Sequence, residues 1–370
     1  MKTLKLLMYF AVMAAITFTS CKKDSTDDGG GDNPQPTSKT NIAYVLNYGS
    51  YSGANGEISI YDRDSKELTD TAGYTTINGV DFSSKIESAT IIGDKMYIMS
   101  NNGDKIDIIN ANTLKQTQNP IAVDITKPRF MVESNGIGYI SCWGDVAVWA
   151  VMANSYIAKM DLATNAITKI NIPGGLEGMA IVNNTLYIAQ SARNTIITMD
   201  LSNDNIDSIK TPAIPQQFAV GNDGKLYVSL VSKFSTPYHK DSLGVAVINT
   251  SNNTIERKID LPGIGGNGFI HISSDKNTLY VLSNKWNAAF TGTISALSTI
   301  DLSNDNISEI LNGESFSGFN LEPTTDNIYL TITTSTTENG KLKIYSKTGS
   351  EIDSEDVLIS PKHILFHQIQ

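Results

Sequence analysis

Four polar side chains occupy one repeated place in this chain. Glu87, Arg129, Glu177 and Gln217 each stand ten residues before a tyrosine set in an apolar stretch: Tyr97, Tyr139, Tyr187 and Tyr227. Two carboxylates flanking an arginine have the residue types for proton transfer, for orienting a polar ligand or for holding a cation. They also neutralise one another, so a self-paired lining that needs no ligand explains them equally well. Other chemistry-bearing residues are sparse. None of the histidines, His239, His271, His363 and His367, is paired at a His-x-x-x-His metal spacing. There is no Gly-x-Ser-x-Gly and no recognisable Ser, His and Asp set. The glycine-rich run 263–268 joins two strand patterns and reads as a turn, which leaves nucleotide binding unsupported. The expectation is no catalytic residue, no metal, no cofactor, and a protein that is not an enzyme.

The elements that position these residues are strands. An apolar strand carrying a tyrosine, a turn, and a strand closing on Asp, Asn or Ser recur seven times. The tyrosines are Tyr44, Tyr97, Tyr139, Tyr187, Tyr227, Tyr280 and Tyr329, spaced by 53, 42, 48, 40, 53 and 49 residues. The closing residues are Asp62, Asn110, Asp161, Asp200, Asn249, Asp301 and Ser346. A strand-only repeat of this length is the pattern of a seven-bladed β-propeller. Period-two alternation and Asn/Asp/Gly turns give each blade four strands, A to D, with A innermost. The repeated tyrosines are then packing residues. Blade one, starting at Ile42, has no A strand before it, while 360–366 reads as an A strand with no blade of its own. The C-terminal strand should therefore pair into blade one and close the ring, hiding two edges. His363 or Lys362 of that strand falls at the level of the polar set, whereas blades six and seven offer Phe269 and Phe319 there. Glu87, Arg129, Glu177, Gln217 and His363 are thus the expected mouth of the central channel.

In a propeller the B–C and D–A connections share one face. The tyrosine-to-closing distance measures the B–C connection. It is 13 residues in blades two and four, and 18, 22, 22, 21 and 17 in blades one, three, five, six and seven. Long loops on a rigid scaffold are where binding residues concentrate. All three tryptophans lie in them: Trp143 and Trp149 in blade three, Trp286 in blade six. Tyr48 and Tyr51 of blade one, Phe234 and Tyr238 of blade five, and Phe290 of blade six join them. Aromatic rings among polar groups suit a flat amphipathic ligand or a protein hot spot, or else pack on one another as a satellite core.

The N-terminus reads differently. Lys2 and Lys5 precede an apolar run, 6–18, that is too short to span a bilayer as a helix. Phe18-Thr19-Ser20-Cys21 resembles a bacterial lipobox, which implies cleavage before Cys21 and lipid on that residue. Residues 1–20 are then a signal peptide, 21–40 a lipidated cysteine with a disordered polar tether, and 41–370 one propeller domain. Acidic residues after Cys21 resemble a surface-export signal of Gram-negative lipoproteins, which implies the exterior of the outer membrane. With Cys21 lipidated, Cys142 has no disulfide partner. Removing Lys2 and Lys5 from 28 basic residues leaves 26 against 38 acidic, a net charge of −12. That balance argues against nucleic acid and anionic lipid surfaces as partners.

Leu279-Tyr280-Val281-Leu282-Ser283-Asn284, Leu226-Tyr227-Val228-Ser229 and Leu186-Tyr187-Ile188-Ala189 resemble the repeats of the Tyr-Val-Thr-Asn surface-protein propellers. Blade one, from Tyr44 through Asn55-Gly56-Glu57 to Asp62, is similar to the first blade of lipid-anchored propellers that serve TonB-dependent transporters, cobalamin-capturing ones among them. The resemblance implies capture of a small nutrient, a corrinoid being one, for an outer-membrane receptor. Two alternatives stand beside it: a protein- or glycan-binding adhesion module using the same face, and an axial hydrolase or lyase centred on Glu87, Glu177 and His363.

Overall fold

The computed structural model describes residues 39–50, 52–53, 55–222, 224–231, 243–262, 268–286, 293–313 and 315–369, with the side chains of Lys285, Trp286 and Thr293 left aside. Seven antiparallel sheets follow one another around a ring. Blade three runs outward as Pro128–Ser134, Ile137–Cys142, Tyr156–Asp161 and Ile167–Asn171; blade four as Leu176–Val182, Thr185–Gln190, Thr195–Asp200 and Ile206–Lys210. Six sheets have four strands. Blade two has three, Ser88–Ile92, Lys95–Ser100 and Lys105–Asn110, and its outer position is held by the isolated bridges Ile106–Ile121 and Ile109–Gln116 and by Thr117, whose amide and hydroxyl both donate to the Ile108 carbonyl. A short helix, Gly73–Asn78, which the alternation pattern does not reveal, links blades one and two.

The ring closes as the orphan strand requires. Pro361–Ile369 pairs with Thr40–Asn47 in antiparallel register, Tyr44 opposite Leu365 and Leu46 opposite His363, as the inner strand of blade one. Both edges that would otherwise stand open are consumed by this pairing.

Each repeated tyrosine is buried, none more than 5% exposed, and lies in the cluster shared with the following blade. Tyr44 packs with Met96 and Ile98 of blade two, and Tyr329 packs with Ala43 and Val45 of blade one, so seven apolar clusters fill the seven seams. The hydroxyls reach on to the next blade's C–D turn. Tyr44 donates to the Ala111 carbonyl at 2.6 Å, and Tyr187 to Asn253 Oδ1 at 2.6 Å. Those turns are set by the closing residues. Asp161 Oδ1 accepts from the amides of Ala163 and Thr164, and Asn110 Oδ1 from those of Asn112 and Thr113. The fourth residue past the closing one takes a left-handed backbone in six blades: Lys66, Leu114, Asn165, Asp204, Asn253 and Asp305. A side-chain cap at the first position offsets that strain at the fifth.

A chain ending at Ser360 should lose the inner strand of blade one and bare the Thr40–Asn47 edge. Its melting temperature should fall by more than about 10 °C, measured by calorimetry. An unchanged midpoint would contradict closure by this strand.

Candidate functional site

The upper ends of the A strands are built alike. In blades three, four, five and seven, and on the closing strand, the A–B register slips by one residue near the top: at 129–130, 177–178, 216–217, 317 and 362. A β-bulge re-aims side chains and bends the strand. The facing residue holds it in place. The Phe130 amide donates to Ser141 Oγ at 3.2 Å, the Gln217 amide to Ser229 Oγ at 3.1 Å, and Ser317 Oγ meets Thr331 Oγ1 at 3.1 Å. These bulges bring Arg129, Glu177 and Lys362 to one group with Glu87.

Arg129 is the hub. Its Nη1 lies 2.8 Å from Glu87 Oε1, and its Nε and Nη2 donate to Glu177 Oε2 at 3.2 and 3.1 Å. Lys362 Nζ donates to Glu87 Oε1 at 2.6 Å. Blades two, three and four and the closing strand are thereby tied across the axis, with the Glu87, Arg129 and Glu177 side chains 5, 12 and 6% exposed. Two cations face two carboxylates, so the group is neutral as drawn. The carboxyls are nevertheless split. Burial pushes both up, but Arg129 and Lys362 together overcome it at Glu87 and hold that carboxyl at about 2. At Glu177 burial prevails over Arg129, with Glu87 adding repulsion, and the carboxyl stays above its ordinary value. Pushing apart two carboxyls in one site is how a proton donor and an ionised partner are made to coexist.

The long-loop face and the channel mouth are one place. Arg129 stacks under Trp143, guanidinium carbon 4.0 Å from the ring centre, and Trp143 meets Trp149 edge-on at 5.6 Å. Trp149 is 60% exposed, beside exposed Val148 and Val151. Tyr48 lines the mouth with Glu87, Arg129, Ser317, Thr333 and Lys362 around a cavity of about 430 Å3. Ser317 and Thr333 are neither charged nor aromatic, so residue type alone does not mark them. In blades three, five and seven the bulge is marked by a Ser or Thr two residues after the blade tyrosine, Ser141, Ser229 and Thr331; blade four, with Ala189, and the closing strand, facing Leu46, carry no such mark.

Two expected mouth residues sit elsewhere. Gln217 and His363 line a second, deeper cavity of about 190 Å3 rather than the charged group. The reason at the closing strand is its bulge: Lys362 takes the extra position and reaches Glu87, while His363 resumes the register opposite Leu46. His363 there meets Phe269 at 5.2 Å and Phe130 at 6.0 Å, centre to centre. Burial, then Lys362, pulls its pKa down to about 3, so it is neutral at physiological pH. Tyr51, Phe234, Tyr238 and Phe290 lie outside the described residues, as do Cys21 and the Trp286 side chain. In blade six the long connection is partly strand, since pairing runs on to Trp286 and Thr293. Cys142 is a buried thiol, pushed by burial up to about 12 and so held unreactive. Among the described residues no group of three or more His, Cys, Asp or Glu could hold a metal, and no helix is long and apolar enough to cross a membrane.

The profile of the DUF5074 family, described as a domain of unknown function, matches residues 42–361. No curated protein matches the chain in sequence. Solved structures similar to it include a Bacteroides fragilis protein assigned as a 6-phosphogluconolactonase, with TM-score 0.65 and 12% identity over 90% of this chain and 100% of that one. The Pseudomonas aeruginosa periplasmic gluconolactonase PpgL follows at 0.62 and 12% over 89 and 99%. AztD from Citrobacter koseri reaches 0.53 and 12% over 89 and 98%. At such identities the likeness carries the fold alone. It does correct one expectation. The chain was expected not to be an enzyme, yet its architecture is shared with proteins named as lactonases, so the lack of a familiar motif does not exclude catalysis.

The split carboxyls give a pH signature. Glu87 is held at about 2 against an ordinary 4.5, so its contribution is full above 4.5 and disappears as pH falls through 2. Glu87→Gln should cost about 3 kcal/mol in urea unfolding at pH 7, the gap to wild type closing between pH 4.5 and 2. Glu177 has the opposite sign: its raised carboxyl favours folding below the ordinary value and loses that contribution as pH rises. Glu177→Gln should therefore cost less than Glu87→Gln at pH 7. Equal, pH-independent losses would contradict the split.

Proposed function

The chain belongs to the DUF5074 family, and from that premise we propose that it is a lipid-anchored ligand-binding propeller on the exterior of the outer membrane, taking a small organic nutrient at the mouth of its channel for a TonB-dependent transporter. One observation carries the binding half of this reading. Tyr48, Arg129, Lys362 and the hydroxyls of Ser317 and Thr333 surround one open cavity of about 430 Å3, within the range of small-molecule sites, and Trp143 stacks on the Arg129 of its wall. The balanced charge of the ring favours a ligand that is neutral overall and rich in donors and acceptors. An aromatic face above a polar floor fixes such a ligand in one orientation. The anchor and the transporter partnership rest on the Cys21 lipobox and on the blade resemblances.

Corrinoids are the first ligand to test. A corrinoid exceeds this cavity and would rest across the mouth, against Trp143 and the exposed Trp149. Equilibrium dialysis with cyanocobalamin should show saturable binding, weakened at least tenfold by Trp143→Ala. Absence of binding to corrinoids, with binding to a glycan array, would replace nutrient capture by adhesion. Cys21→Ser should move the protein from the membrane fraction to the soluble one; an unchanged distribution would refute the anchor.

The split between Glu87 and Glu177 favours a second reading at the same site. Glu177, the more easily protonated carboxyl, would act as acid and base on a hydroxylated ligand or sugar lactone while Glu87 stays ionised. Lactone hydrolysis abolished by Glu177→Gln, with ligand binding retained, would establish it.

A further inference from the structure

The channel has a second level that the mouth does not explain. Below the charged ring lies a chamber of about 190 Å3 walled by Phe130, Phe218, Phe269, Phe319, His271 and His363, with Gln217 at its edge. The four phenylalanines come from the A strands of blades three, five, six and seven, or the turn just before, where a channel lining is expected to be polar. Two of them are accounted for by packing: Phe269 and Phe319 are 7 and 1% exposed and belong to the seam between blades six and seven. Their rings still form walls. His271 stands edge-on to Phe319 at 4.8 Å and is tied to the Phe319 backbone. Asn320, also at the wall, has spent both ends of its amide, on the Ile364 carbonyl and the Leu321 amide. His363 differs. Its Nε2 is buried and has no hydrogen-bond partner in the protein.

Gln217 adds a further polar side chain to the wall, so the chamber offers polar atoms at one side and rings over the rest. It suits a ring. An apolar cavity of about 150 Å3 holds a benzene-sized molecule, and phenylalanine and histidine rings present both faces and edges to another aromatic. The free His363 nitrogen adds one directional requirement. A neutral histidine offers either a donor or an acceptor at Nε2, depending on its tautomer, and a phenolic hydroxyl satisfies both.

We propose that this chamber is a binding site for a single-ring aromatic molecule carrying one hydroxyl, its ring among Phe130, Phe218, Phe269 and Phe319 and its oxygen on His363 Nε2. The site is distinct from the mouth: none of Arg129, Glu177, Lys362 or Trp143 lines it, although Arg129 lies over the Phe130 ring at 5.9 Å. It gives the propeller an aromatic specificity element beside its charged one.

Phenol is the probe. Calorimetric titration of the full-length protein at pH 7 should show one saturable site. The side-chain 15N resonance of His363 Nε2 should shift on binding while that of His239 does not. His363→Phe should raise the phenol Kd at least tenfold and leave toluene within about threefold, because only the hydrogen bond is lost. Phe269→Trp, which fills the chamber, should abolish both. Should His363→Phe fail to fold, the wild-type 15N shift alone decides. No saturable phenol binding, phenol bound without a shift at His363 Nε2, or a phenol-soaked crystal with only ordered water in the chamber would overturn the proposal.

Discussion

Arg129 held between Glu87 and Glu177 is the constraint on which the upper half of the molecule depends. One guanidinium, almost wholly buried, spans three blades, and Lys362 extends the group to the strand that closes the ring. A buried ion is tolerated only when its partners are close and its hydrogen bonds are made. Here that condition is met only if blades two, three and four and the C-terminal strand stand in register with one another. The ring therefore reports on closure as much as on ligand chemistry, and the Trp143 platform above it is positioned by the same arginine. Loss of the last strand would remove Lys362 from Glu87 and leave one carboxylate with half of its compensation.

The scaffold beneath the ring is held by repetition. Each tyrosine fills one seam and, where its hydroxyl reaches, hooks the following blade's turn. No single seam dominates. Seven comparable apolar clusters share the work, which is why the polar residues at the axis are free to differ from blade to blade.

Much of this was legible because period-two alternation and fixed tyrosine spacing are local signals. The blades, the orphan strand and the level of Glu87, Arg129 and Glu177 all followed from counting. What counting missed came from breaks in the period. On the closing strand a bulge adds one residue, so Lys362 instead of His363 reaches the ring; in blade five the A–B turn is one residue longer than in blades three and four, so counting ten back from Tyr227 lands on Gln217, one level below. Blade two lacks a regular fourth strand because its outer segment makes isolated bridges in place of a ladder. The helix Gly73–Asn78, at six residues, is too short to show a periodicity. The union of mouth and long-loop face was hidden for another reason: it depends on Trp143 folding back over Arg129, a contact across fourteen residues that no spacing encodes. The expectation of a protein without catalysis rested on missing motifs, and a fold shared with lactonases withdraws that ground.

The central claim is that Arg129 and Lys362 hold two neighbouring carboxyls in different protonation regimes at the mouth of the channel. Carboxyl-detected 13C NMR of glutamate-labelled protein, titrated from pH 8 to pH 2, measures this directly. Glu87 should remain ionised until the bottom of that range, and Glu177 should titrate above an ordinary glutamate, with Lys362→Met narrowing the gap. Two carboxyls titrating together near the ordinary value would contradict the account.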